Sequence, residues 1–205
     1  MLASDEPLGA MTVGAALLTP GAGSGRSHPT LLAIEAALAP LPVERVDFPY
    51  RKAGRRIPDR APILVASVVE AATDLARTAA VAPERLVLGG RSMGGRICSM
   101  AVAEGLPAAG LVLVGYPLHP PGRPERLRVA HLGAIGVPCL FVSGSRDPFA
   151  TPAELESATA AIPAAVSHVW VEGGGHELKG ADEEVATAVA AWVRRLRPIA
   201  GDPRG

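Results

Sequence analysis

A doubly wound α/β sheet of about six parallel strands, with helices on both faces, is the architecture this sequence predicts. Three observations lead there. Short apolar runs of strand length alternate with segments whose apolar residues recur every three or four positions. The runs are apolar almost throughout, as in strands buried on both faces. The runs end in turns rich in Gly, Pro, Ser or Asp, and helical segments separate them, as parallel crossovers require.

Bulk properties fit that architecture. The 205 residues suffice for one sizeable core, so a single domain over 11–197 is expected, with a flexible lead-in at 1–10 and a flexible tail at 198–205. Hydrophobic residues make up 48% of the chain but aromatics only 3%, so Ala, Val, Leu and Ile must build the core. Twenty basic and 20 acidic residues balance to zero. No basic stripe points to nucleic acid, and no apolar run reaches membrane-spanning length. Met1 to Pro7 is acidic and lacks the basic and apolar regions of a secretion signal. Cys98 and Cys139 have neither disulfide nor metal spacing and read as small buried thiols. A cytoplasmic location is the expectation.

The elements follow in order. Thr12 to Leu18 is the first strand, and Thr19-Pro20-Gly21-Ala22-Gly23-Ser24-Gly25 the turn after it. His28-Pro29 opens a helix with Leu31, Ile34 and Leu38 inward, stopped by Pro40. Val43 to Phe48 is the second strand. Pro49 to Pro62 is a loop carrying Arg51, Lys52, Arg55, Arg56 and Arg60, either solvated or an anion site. A helix from Ile63 to Ala80 buries Leu64, Val68, Ala72, Leu75 and Ala79. Leu86 to Gly89 is the third strand, and the helix after it ends near Gly105.

Leu111 to Val114 is the fourth strand, followed by Gly115-Tyr116-Pro117-Leu118-His119. A short helix is expected around Val129 to Ile135, and the fifth strand over Val137 to Val142. Thr151-Pro152-Ala153-Glu154 is a capping box with Pro at the first helical position. His168 to Val171 is the sixth strand. The last helix starts near Asp182, turns Val185, Val189, Trp192 and Leu196 inward, and stops at Pro198.

In such sheets ligands bind beyond the carboxyl ends of the strands, so the residues there carry the chemistry. Gly89-Gly90-Arg91-Ser92-Met93-Gly94-Gly95-Arg96 contains G-x-S-x-G between a strand and a helix. In the nucleophile-elbow reading, a strained turn lifts the Ser92 hydroxyl above the sheet. The same string can also serve as a Gly-rich turn that cradles phosphate or only packs closely. A hydrolytic triad adds a histidine base and an acid that fixes its tautomer, in the chain order Ser, Asp, His. Ser92, Asp147 and His176 have that order, each in the turn after a different strand.

His119 also follows a strand and is the rival base. His176 is favoured because Gly173-Gly174-Gly175-His176 directly follows the last strand. His168 reads as a core or edge residue, His131 as solvated, and His28 as the start of a helix. Glu172 and Glu177 are too near His176 in sequence to reach its far nitrogen, and the alternative role of Asp147 is to cap the turn before Pro148. Backbone N–H groups of Met93 and Ala22 are the expected oxyanion donors. Gly21, Arg91 and His119 are possible lining, and Arg91 or Arg96 could hold an acidic substrate group.

The strings Gly-Gly-Arg-Ser-Met-Gly-Gly-Arg, Gly-Tyr-Pro-Leu-His-Pro and Leu-Phe-Val-Ser-Gly-Ser-Arg-Asp-Pro-Phe resemble the α/β-hydrolase-like family of testis-expressed protein 30 and the third subunit of the NSL chromatin complex. More distantly the chain resembles dienelactone-hydrolase-like proteins. The resemblance covers about residues 11–196. It implies a minimal α/β-hydrolase fold without the first two antiparallel strands or a lid, with Ser92, Asp147 and His176 as triad. A serine hydrolase of a small carboxylic ester or thioester is expected, with no metal or organic cofactor. A binding or scaffold module on the same fold is the second reading, and a phosphate-binding α/β protein the third.

Overall fold

The computed structural model describes residues 13–196. The lead-in at 1–10, the tail at 198–205 and the stop at Pro198 lie outside the described residues. Six strands run as β1 (Ala15–Thr19), β2 (Val43–Arg45), β3 (Leu86–Arg91), β4 (Gly110–Val114), β5 (Cys139–Gly144) and β6 (Val166–Val171). Every neighbouring pair is parallel, in the order β2-β1-β3-β4-β5-β6. The order reverses beside β1 and β3, so a crevice opens beyond their carboxyl ends.

Six α-helices connect them: α1 (Pro29–Leu38), α2 (Pro49–Lys52), α3 (Ala61–Thr78), α4 (Met93–Ala103), α5 (Pro152–Thr159) and α6 (Asp182–Val193). The pleat divides the sheet's side chains between two cores. Leu17, Leu88, Leu111, Leu113 and Phe141 point to one face, under α3, α4 and α5. Leu18, Val87, Val112, Leu140 and Val142 point to the other, under α1 and α6. Both faces are covered, which is why the strands read as continuous apolar runs.

Several boundaries differ from the sequence reading. β2 stops at Arg45 because Phe48 turns inward to 1% exposure and starts α2, a single helical turn inside the expected loop. Pro62 lies in the first turn of α3, where its missing N–H has no intrahelical partner to lose. The expected helix around Val129 to Ile135 is only a 3₁₀ turn, Leu132–Ala134, with Gly133 inside it and Gly136 two residues past its end. β5 lies two residues later than expected, and β6 starts two earlier, at Val166. α6 ends at Val193, and Leu196 packs on the α1/α6 core from beyond it. The capping box at α5 forms as read, with Thr151 and Glu154 each accepting from the other's backbone N–H.

Close approach of β1, β3 and α4 fixes the centre of the molecule. A Cβ at Gly90 would fall on the carbonyl oxygen and Oγ1 of Thr19, and one at Gly94 would sit 2.5 Å from the Pro20 carbonyl oxygen. Thr19 Oγ1 donates to the Gly89 carbonyl at 3.0 Å across the same gap. Gly90→Ala should therefore push β1 and β3 apart, cost about 1–3 kcal/mol and lower Tm by about 2–10 °C in a thermal melt. An unchanged Tm would show that the strands can separate freely.

Candidate active site

Ser92 leaves β3 with φ +50° and ψ −118°, a conformation most side chains avoid. Its N–H donates to the Val114 carbonyl at 2.7 Å, extending the β3–β4 ladder by one residue. Its carbonyl accepts from Arg96 N–H at 3.1 Å in the first turn of α4. The hydroxyl is thus held above the strand ends between sheet and helix.

Asp147 and His176 arrive from the two strands at the far side of the sheet. Asp147 sits in the turn after β5 and is 2% exposed. One carboxylate oxygen, Oδ1, accepts from Phe149 N–H at 2.8 Å, the local turn bond that Asp before Pro favours. The other, Oδ2, lies 2.8 Å from His176 Nδ1. His176 follows β6, and its Nε2 lies 2.8 Å from Ser92 Oγ. The network assigns the tautomer: Nδ1–H donates to Asp147 and Nε2 accepts from Ser92.

One contact packs the imidazole and three brace the turn that carries it. Phe149 stacks on it with centroids 3.9 Å apart. Arg146 N–H donates to the Gly174 carbonyl at 2.9 Å, tying the acid's turn to the histidine's. Arg91, 3% exposed at the end of β3, donates from Nη2 to the His176 carbonyl at 3.2 Å and to Glu177 Oε2 at 2.8 Å.

The hydroxyl opens into a cleft of about 720 Å³. Ala22 and Met93 both line it, and among the described residues neither backbone N–H has an acceptor. The Ala22 turn is braced from behind, where Tyr50 Oη donates to the Ala22 carbonyl at 2.8 Å. Gly21 also lines the cleft. His28 caps α1, accepting from Thr30 N–H at 3.2 Å, and reaches the cleft as well. Burial and the Arg91 charge hold its pKa below the usual value.

Other expected placements differ. His119 is not among the cleft-lining residues: it is buried behind them, Nδ1 on the Pro120 carbonyl at 2.9 Å and Nε2 facing Glu154 at 3.5 Å. His131 is not solvated. It packs under α4, with Nε2 2.8 Å from Ser99 Oγ, and burial together with the Arg96 charge lowers its pKa to about 4. Cys98 and Cys139 are free and buried, and burial raises both thiols to about 12. Glu177, rejected as the acid, pairs with Arg91 instead. Tyr50, Phe149 and Arg128 were missed. Only Phe149, two residues past Asp147, stood where a strand-end rule could have found it.

The chain matches the family model described as an alpha/beta hydrolase domain over residues 13–200, and it belongs to that family. Among solved structures it is similar to a putative hydrolase of the alpha/beta superfamily from Xanthomonas campestris, at 22% identity and TM-score 0.66, covering 88% of this chain and 98% of that one. It is also similar to dienelactone hydrolase from Anabaena variabilis, at 22% identity and TM-score 0.68, over 90% and 85% of the two chains. An alpha-beta serine hydrolase homologue from Coxiella burnetii matches at 18% identity and TM-score 0.70, over 88% and 84%. Among the described residues, no helix is long and apolar enough to cross a membrane.

The half-buried histidine under α4 gives a test. Unfolded His131 takes a proton near 6.5 and folded His131 only near 4, so the unfolded state holds more protons between those values. The stability contributed by neutral His131 is complete above about pH 6.5 and is lost as pH falls towards 4. Thermal melts from pH 7.5 to 4.5 should show a shallower fall in Tm for His131→Gln than for wild type. Parallel curves would mean that His131 titrates normally in the folded protein.

Proposed function

We propose that this protein is a serine hydrolase that cleaves a carboxylic ester or thioester through an acyl-enzyme. The observation that carries the reading is the unbroken contact chain from Ser92 Oγ to His176 Nε2, and from His176 Nδ1 to Asp147 Oδ2, at 2.8 Å each. Family membership and the hydrolases among the similar structures support it.

In this reading Ser92 Oγ attacks the substrate carbonyl as its proton passes to His176 Nε2. Asp147 holds the imidazole in the required tautomer and stabilises the imidazolium. The carbonyl oxygen becomes an oxyanion that accepts from the Met93 and Ala22 N–H groups, both of them on residues lining the cleft. The tetrahedral intermediate collapses, the leaving group takes the proton from Nε2, and the acyl group stays on Oγ. Water then repeats the sequence with His176 as base, releasing the acid and restoring the serine. The free, buried thiols support a reducing compartment such as the cytoplasm. The narrower likeness to the testis-expressed protein 30 group rests on the strings around Ser92, Tyr116 and Asp147.

A fluorophosphonate probe followed by intact-mass measurement should give one adduct on wild type and none on Ser92→Ala. A well-folded wild type that forms no adduct would sink the hydrolase reading and favour a binding module. On a 4-nitrophenyl ester, Ser92→Ala should lower kcat by about 10³-fold or more, and Asp147→Asn by about 10²- to 10⁴-fold, with little change in Tm. A drop below threefold for Asp147→Asn would remove the acid from the mechanism.

A further inference from the structure

Charge inside the cleft does not match the neutral balance of the chain. Arg91, Arg96 and Arg128 all line it with Ser92. Arg91 is matched by Glu177, the one carboxylate in the lining. Among the described residues, Arg96 and Arg128 have no carboxylate partner. Among the described residues the Arg96 side chain makes no hydrogen bond or ion pair, and its Nε is buried without a partner. The Arg128 guanidinium has only the Pro117 carbonyl, 3.4 Å from Nη1.

Neither His131 nor Tyr116, the titratable neighbours of the pair, supplies a negative charge to it. His131 is neutral above about pH 4, and burial keeps the Tyr116 hydroxyl protonated, its pKa raised to about 12. Arg96 also stands in the first turn of α4, which contains no acid, where the positive end of the helix dipole disfavours a cation. Burial, and next the Arg96 charge, hold the Arg128 pKa below its usual value. Two partly buried guanidinium groups facing one space without an anion are costly, because each loses hydration and the two repel. Elsewhere on the surface, Arg45 and Arg55 have carboxylate partners at 2.7 Å.

We propose that the substrate hydrolysed here carries an anionic group, a carboxylate or a phosphate, that docks on Arg96 and Arg128 beside Ser92. Both anions offer a pair of oxygens that a guanidinium fork binds with two hydrogen bonds. Arg96 lies one helical turn beyond the nucleophile, so an anion held there fixes how the scissile carbonyl meets Ser92 Oγ. Arg96 and Arg128 are specificity residues in this scheme, and Arg91 is a positioning residue committed to His176. The inference rests on the hydrolase reading above.

Two substrate pairs test it and separate the two sources of anion. The first is mono-(4-nitrophenyl) glutarate against its neutral methyl ester, with the carboxylate on the acyl side. The second is S-acetyl-4′-phosphopantetheine against S-acetyl-pantetheine, with the phosphate on the leaving group. The expected result is a kcat/KM at least about tenfold higher for the charged member of one pair, which names the side that carries the anion. That ratio should fall towards one in Arg96→Gln and in Arg128→Gln, with each variant's fold and site checked by its fluorophosphonate adduct at Ser92.

Equal kcat/KM within each pair, on a wild type that labels at Ser92, would overturn the anion proposal and leave the hydrolase reading standing. A preference that survives when Arg96→Gln and Arg128→Gln are combined would also overturn it. Absence of labelling on wild type would remove both readings together.

Discussion

Ser92 does not choose its own backbone conformation. A left-handed φ costs a non-glycine residue on the order of 1–3 kcal/mol, and it persists only where the surroundings over-determine it. Here the surroundings are the convergence of β1, β3 and α4 around Thr19. With hydrogen in place of Cβ at Gly90 and Gly94, β1 comes within hydrogen-bonding distance of β3, and α4 can start directly above the strand. The ladder bond to Val114 and the first-turn bond from Arg96 then clamp Ser92 on both sides. The exposed hydroxyl, the free Met93 N–H and the position of Arg96 all follow from that one tight crossing.

The crossing also explains why the site can be assembled from turns far apart in sequence. A parallel sheet delivers every strand's carboxyl end to the same edge, so three turns spread over 84 residues meet without a long loop. The turns stay short because each is tied to its neighbour by backbone bonds, such as Arg146 N–H to the Gly174 carbonyl. The Ser92–His176–Asp147 contacts thus inherit their positions from sheet register.

Much of this was legible in the sequence. Continuous apolar runs gave the parallel sheet, because strands covered on both faces must be apolar at both parities. Ser92, Asp147 and His176 stood out because topology restricts chemistry to strand ends, and few residues there are nucleophiles, acids or bases. The errors have a common physical origin: each depended on tertiary burial that local patterning does not encode. His131 looked solvated because its segment is polar, yet Ser99 and Tyr116 fold over it. Phe48 looked like part of a strand, but the core took its side chain and ended β2. Arg128 sits in an irregular Pro- and Arg-rich connection, where no periodicity marks which arginine turns towards the cleft.

Among the described strands, β6 is hydrogen-bonded on one flank only, and the imidazole hangs from its end. The serine belongs to β3, in the sheet's interior. Local opening free energies differ across a fold, and an edge strand opens at lower cost than the interior. Peeling of β6 would part Nε2 from Oγ while the interior stayed intact, so the serine–histidine contact has its own stability, smaller than that of the fold. Arg91 acts against that separation. Rooted in β3 and bonded to the His176 carbonyl, it is a strap from the middle of the sheet to its edge. Its buried charge is best understood as a mechanical restraint, raising the free energy of a fraying motion that would otherwise disconnect the pair.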